Sequence, residues 1–193
     1  MPVSAPSSSP PSQASPFRSL CTDCGVSRTD DPKRCGRACQ FIRPDYPSLE
    51  RQSHGRSRKA AAGHEAHFGV LQGMHKAALK MPSVGAQWTG ITTRLAERLL
   101  ETDTVDAVLT VKPDPADKWK PEPVLITRAE DMAQCRGMRM GYAPLLSLLE
   151  PAIRGGVKRL AVIGIPCQVY ALRALERELG LEQLYVIGTP CSD

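Results

Sequence analysis

The chain has 193 residues, 41% hydrophobic and 23% charged. That is the length of one domain with a small appendage and the balance of an ordinary globular protein, which excludes a collagen-like or wholly disordered chain. No run of eighteen apolar residues is present, so no helix is expected to span a bilayer. The N-terminal MPVSAPSSSPPSQASP lacks a basic stretch followed by an apolar one and does not read as a secretory signal. Seven cysteines in such a chain argue for metal, cluster or redox chemistry in a reducing, cytoplasmic setting rather than a disulfide framework. The net charge of +5 is concentrated. Residues 1–60 hold ten Lys/Arg against five Asp/Glu, and residues 61–193 hold fifteen of each. The excess surrounds the first four cysteines, where it would attract an acidic partner. Nucleic acid is not expected, because the stretch has few aromatics for stacking and no known binding pattern.

In chain order, residues 1–16 contain six Ser and five Pro and read as a disordered tail. Residues 17–59 read as a Cys-rich segment followed from about residue 46 by a polar connector, and residues 60–193 as an α/β unit. Phe68, Leu71, Met74, His75, Ala78 and Leu79 recur at helical spacing and predict a helix. After the turn MPSVGAQWTG, ITTRLAERLLE predicts a helix with Ile91, Leu95, Leu99 and Leu100 on one face. VDAVLTV and VLIT are strand candidates either side of the Pro-rich KPDPADKWKPEP. Thr127 is the expected cap of a short helix over AEDMAQC. A helix from about Ala143 to Arg154 is expected to stop at Gly155–Gly156. RLAVIGIPC reads as a buried strand entering a turn, QVYALRALERELG as a helix ended by Gly180, and LEQLYVIGTPC as a second strand and turn. The fold class is therefore α/β, a partly parallel sheet with flanking helices, with ligands expected at the C-terminal strand ends. No helix follows to cover the last strand, so the sequence is expected to be the front part of a longer protein.

Cys21, Cys24, Cys35 and Cys39 form C-x2-C-x10-C-x3-C. Four soft thiolates suit a tetrahedral zinc or a 4Fe-4S cluster, and spacing alone does not separate the two. The neighbouring Gly residues would let backbone N–H groups approach sulfur, and the Arg residues would offset thiolate charge. Cys167 and Cys191 each follow a strand and a Gly-x-Pro turn, GIPC and GTPC; half of a second cluster, a redox pair and plain loop cysteines all fit. Cys135 reads as a packing thiol, and His64 and His67, at i, i+3 on one helical face, lack the further ligands that a metal pair would need. Gly90, Thr89, Thr92 and Thr93 at a helix start suit either phosphate binding or simple capping, and Trp88 either flavin stacking or core filling.

Taken together, CTDCG…CGRACQF, HGRSR, FGVLQGM, GAQWTGITT, DAVLTVKPDP…KPEPVLI, GIPCQVYALRALE and LYVIGTPCSD resemble the family of coenzyme F420 hydrogenase/dehydrogenase beta subunits. Within it the likeness is nearest to the ferredoxin-dependent divinyl chlorophyllide 8-vinyl reductases and 7-hydroxymethyl chlorophyll a reductases. Where that family places a third cysteine soon after CxxCG, Ser27 stands here. The resemblance implies FAD and 4Fe-4S cofactors, ferredoxin as acidic electron donor, and a tetrapyrrole substrate reduced at its 8-vinyl group during (bacterio)chlorophyll biosynthesis. It implicates Gln87, Trp88, Thr89, Gly90, Thr92 and Thr93 in holding flavin phosphate, and Cys21, Cys24, Cys35, Cys39, Cys167 and Cys191 in cluster ligation. Coenzyme F420 as redox partner, and a zinc-binding module without catalysis, are the alternatives. Self-association into a homo-oligomer is compatible with the family.

Overall fold

A computed structural model describes residues 20–59, 61–81, 83–86 and 90–191. The Ser/Pro tail and Gln87, Trp88 and Thr89 lie outside them. The centre is a four-stranded sheet of β1 (Ala107–Pro113), β2 (Pro121–Ile126), β3 (Arg159–Gly164) and β4 (Gln183–Gly188), in the order β2-β1-β3-β4. β1 pairs antiparallel with β2, from Val108 opposite Ile126 to Pro113 opposite Pro121. It pairs parallel with β3, which pairs parallel with β4 from Arg159–Gln183 to Gly164–Gly188. The expected partly parallel α/β sheet is thus present.

Among the described residues the helices are α1 (Arg34–Ala38), α2 (Tyr46–His54), α3 (Gly63–Phe68), α4 (Ile91–Glu101), α5 (Leu149–Arg154) and α6 (Pro166–Leu175). The two-residue period of the strands divides the core. Ala107 and Leu109 of β1 and Leu160 and Val162 of β3 face Leu145, Leu149, Leu172 and Leu175 on the side of α5 and α6. Val108 and Ala161 face Ala96 and Leu100 of α4, with Met132, on the other. Both faces are covered, which is why the strand sequences are continuously apolar instead of alternating. β4 departs from the expected buried strand. It is an edge, and Gln183, Tyr185 and Gly188 are exposed along it.

Several predicted elements change form. The helix expected over residues 68–79 is absent; α3 stops at Phe68, where Gly69 takes φ +77°. Phe68 and Met74 are exposed, so the apolar stripe has no core to pack on. The polar connector contains α2, whose N-cap Asp45 accepts a hydrogen bond from the Ser48 N–H at 3.1 Å, and whose C-cap Gly55 is left-handed at φ +73°. Arg128, not Thr127, precedes the 3-10 helix Ala129–Cys135. The helix placed over 143–154 is 3-10 at Leu145–Leu148 and α only in α5. The helix expected after GIPC is found as α6 with a 3-10 extension, Glu176–Glu178, before left-handed Gly180.

Three buried or half-buried carboxylates organise the turns. Glu65 accepts Arg56 Nη1 at 2.9 Å and the Lys59 N–H at 2.6 Å. Glu50 accepts the Arg58 N–H at 2.9 Å and Nε at 2.6 Å. Asp106, just before β1, accepts Arg159 Nε at 3.0 Å and the backbone N–H groups of Lys158 and Arg159 at 3.0 and 2.8 Å. This last carboxylate fixes the start of β3 beside β1 and so sets the parallel register.

The Cys-rich segment is docked onto the α5/α6 face. Leu146 N–H donates to the Cys24 carbonyl at 2.9 Å. Gly25, at φ +104°, lies so close to the 144–147 backbone that a Cβ there would meet Ser147 N at 2.5 Å and Pro144 O at 2.6 Å. Val26 and Ala38 are buried in the core beside it. Ion pairs flank the contact. Glu150 accepts Arg34 Nη1 and the Asp30 N–H, both at 2.6 Å, and Glu178 accepts Arg37 through two bonds of 2.6 and 2.8 Å. α2 is held to α6 by the Tyr170 hydroxyl, which donates to Arg43 O at 3.1 Å and accepts the Asp45 N–H at 2.6 Å.

Two outcomes follow from these contacts. Gly25→Ala forces a left-handed Cβ into backbone and should cost about 2–5 kcal/mol, seen as a lower denaturant midpoint together with faster limited proteolysis of residues 20–43; an unchanged midpoint would contradict the packing. The Asp106 carboxyl is held down at about 2, first by the Arg159 side chain and then by the backbone N–H groups of Arg159 and Lys158. Its stabilisation is present above the ordinary carboxylate value of about 3.9 and is lost as pH falls toward 2. Thermal scans across that window should show a shallower acid loss for Asp106→Asn than for the unsubstituted protein.

Candidate functional site

Cys21, Cys24, Cys35, Cys39 and Cys167 line one half-open pocket, with Thr22, Asp23, Val26, Ala38, Gln40, Phe41 and Ala171 also in its wall. Each thiol arrives by a different local device. The Cys24 carbonyl is fixed by Leu146, and the Asp23 N–H donates to Cys21 Sγ at 3.4 Å. The x3 spacing of Cys35 and Cys39 puts both at the same side of α1, four residues apart. Cys167 comes from the first turn of α6, where Pro166 opens the helix. The turn before it is braced by Gln168, whose Oε1 accepts the Ile165 N–H at 3.1 Å while its Nε2 donates to Ala143 O at 3.0 Å. Thr22 Oγ1 lies 3.2 Å from Cys167 Sγ, so the two cysteine motifs touch although 145 residues separate them.

The thiols also sense one another. Burial pushes the Cys24 thiol up to about 11, opposed by the Val26 N–H and reinforced by Cys35, Cys167 and Cys39. Burial raises Cys35 as well, with Cys39 and Cys21 adding to it. Cys167 is raised by burial and by Cys191, against hydrogen bonds from Thr22 and the Gln168 N–H. A set of crowded, partly desolvated thiols resists ionising unless a cation neutralises it, which is the environment of a metal or cluster ligand set. The residues therefore fit such a group. Among the described residues no three His, Cys, Asp or Glu side chains converge on a single-ion point; the thiols stand around a cavity wall. Cys191 is exposed beyond the end of β4.

Gly25 serves backbone docking on residues 144–147. Arg34 and Arg37 pair with Glu150 and Glu178 across the docked face, and Arg28 pairs with Asp23. Arg56 and Arg58 are taken by Glu65 and Glu50. Of the described cations in the basic stretch, Lys33, Arg43, Arg51 and Lys59 remain for an acidic partner. Cys135 packs against the α4 side of the sheet, away from the cavity, and burial pushes its thiol up to about 11.

The implicated flavin loop is described only at its end. Gly90, at φ +69°, is the N-cap of α4, and a Cβ there would meet Leu79 Cδ1 at 3.0 Å. Thr92 and Thr93 are half-buried in the first turn, where no side chain caps the amides. Open amides at a helix start fit a phosphate. α4 leads back into β1, so its N-terminus lies toward the C-terminal ends of the strands, as do Cys167 after β3 and Cys191 after β4. The two candidate cofactor regions thus share the C-terminal edge of the sheet but belong to opposite faces. Sequence reasoning missed Thr22, Gln168 and Tyr170. Thr22 lies inside CTDC and Gln168 directly follows GIPC, but a contact between motifs so far apart has no local signature.

The family described as coenzyme F420 hydrogenase/dehydrogenase beta subunit matches at its N-terminal part over residues 74–150 and at its C-terminal part over residues 157–193. An uncharacterised Nostoc sp. protein, all1601, is 41% identical over 95% of this chain and 46% of its own length. The chloroplastic 7-hydroxymethyl chlorophyll a reductase of Oryza sativa is 39% identical over 95% of this chain and 40% of its own. A component of the F(420)H(2) dehydrogenase of Methanosarcina mazei is 29% identical over 58% of this chain and 31% of its own. The chain thus spans less than half the length of these relatives. In structure it resembles a chain of the F420-reducing [NiFe] hydrogenase complex of Methanosarcina barkeri, with a TM-score of 0.50 and 29% identity over 54% of this chain and 38% of that one. With the sheet and both matched regions in agreement, the chain belongs to the family of coenzyme F420 hydrogenase/dehydrogenase beta subunits.

Proposed function

We propose that the chain forms the iron–sulfur and flavin-binding part of an oxidoreductase that passes electrons from reduced ferredoxin through 4Fe-4S and FAD to the 8-vinyl group of a divinyl (proto)chlorophyllide. The observation that carries this reading is the shared cavity walled by five thiols. Five thiols from two separate motifs around one space exceed the four ligands of a single tetrahedral zinc and suit a polynuclear centre. When bound, the cluster would supply one-electron transfer and the flavin its conversion to two-electron reduction.

The chain's own residues do the holding. Cys21, Cys24, Cys35 and Cys39 present sulfur from the docked segment, and Cys167 and Cys191 present it from the ends of β3 and β4. Val26, Ala38 and Ala171 form an apolar wall that limits water at the sulfurs. The GAQWTGITT segment, through Gln87, Trp88, Thr89, Gly90, Thr92 and Thr93, would hold the flavin phosphates, with the open amides of α4 as the described part of that cradle.

The rice relative's name supports a chlorophyll-type substrate and makes a 7-hydroxymethyl group the second reading of the reduced position. The relatives named for F420 make that coenzyme the second reading of the electron partner. Anaerobically purified protein offered reduced ferredoxin and reduced F420 in turn, with each tetrapyrrole, separates these readings by product analysis.

In the same preparation, Cys24→Ala and Cys35→Ala should lose most of the bound iron and inorganic sulfide, and Cys135→Ala should keep both. A colourless protein with stoichiometric zinc would sink the redox reading. Raising ionic strength from low salt to about 0.15 M, where the Debye length falls to about 8 Å, should slow cluster reduction by ferredoxin severalfold in stopped-flow; a salt-independent rate would remove the basic segment as the docking surface.

A further inference from the structure

Among the described residues, the contact between Thr22 and Cys167 joins the N-terminal cysteine motif directly to the thiol of α6. Geometry alone lets either atom donate, but a metal-bound thiolate has no proton, so the hydroxyl must then be the donor. Hydrogen bonds to a ligating sulfur withdraw charge from it and favour the more negative, reduced form of the centre, which raises the reduction potential. Thr22 is half-buried at the cavity wall, where water competes poorly for its hydroxyl. Its β-branched side chain also restricts χ1, so the hydroxyl is aimed rather than free to turn.

We propose that Thr22 is a positioning residue whose hydroxyl donates to the Cys167 thiolate and raises the reduction potential of the centre that Cys167 ligates. The inference rests on the iron–sulfur reading given above. It assigns to the second residue of CTDC a role separate from ligation, and it makes docking of the N-terminal segment a condition for the potential of a centre held by α6.

The test uses the full chain, purified anaerobically, with iron and sulfide assayed and the midpoint potential read by EPR-monitored dithionite titration. Thr22→Val removes the hydroxyl at nearly constant shape and should make one-electron reduction about tenfold less favourable, a shift of about 59 mV to more negative potential. Thr22→Ser restores the donor and should return the potential to that of the unsubstituted protein. Equal potentials in Thr22→Val and the unsubstituted protein, at equal iron and sulfide content, overturn the proposal and leave the iron–sulfur reading standing. Absence of iron and sulfide from the unsubstituted protein overturns both.

A second measurement guards against a Thr22→Val protein that fails to load. Pulsed EPR of the reduced unsubstituted protein in H2O and D2O should show an exchangeable proton coupled to the centre. Thr22→Ala should lose one exchangeable coupling while those of backbone amides, such as the Asp23 N–H on Cys21 Sγ, remain, and an unchanged set of couplings there overturns the proposal.

Discussion

Everything at the cavity depends on one backbone-to-backbone contact. Gly25 presses against residues 144–147 without a side chain between them, and Cys24 gives its carbonyl to Leu146. That contact sets the height of the whole CTDCG loop over the sheet face. From it follow the placement of Thr22 beside Cys167, the burial of Val26, and the reach of Cys21 and Cys24 into the space in front of α1. The α/β sheet alone would carry only Cys167 and Cys191 at its edge, and the segment alone has almost no core of its own. The site exists because two incomplete surfaces complete each other.

Electrostatics hold the edges of that contact and consume much of the charge that the composition advertises. Five arginines of the basic stretch are committed to carboxylates, three of them (Arg28, Arg34 and Arg37) in the docked segment. Exposed pairs of this kind contribute little individually. The two-pronged Arg37–Glu178 pair and the shared Glu150 carboxylate fix orientation more than they add stability. The same economy appears at Asp106, where one carboxylate aligns two strands and their register together.

The strands and α4 were legible because their signals are local. Apolar runs at 107–111 and 160–163, and an apolar stripe in ITTRLAERLLE, need no knowledge of the partner surface. α2 was hidden by its polarity, although Asp45, Pro47 and Gly55 spell out both of its ends. The stripe from Phe68 to Leu79 misled for the converse reason: spacing describes a face, but Gly69 and Gly73 interrupt the backbone and Phe68 and Met74 stay exposed. The cysteines were legible as a set and the cavity was not. The joining of Cys167 to the first motif depends on Gly25, whose packing on residues 144–147 has no local signature in the sequence. The arginines were likewise read through charge, while their partners Glu150 and Glu178 lie more than a hundred residues away.

That separation has a consequence for biosynthesis. The segment bearing the first four cysteines leaves the ribosome early, yet its docking surface needs Leu146, Cys167 and Glu178. At ordinary elongation rates the wait is on the order of ten seconds. During that interval four thiols travel on a nascent chain with nothing to shelter them, open both to oxidants and to whatever machinery delivers metal.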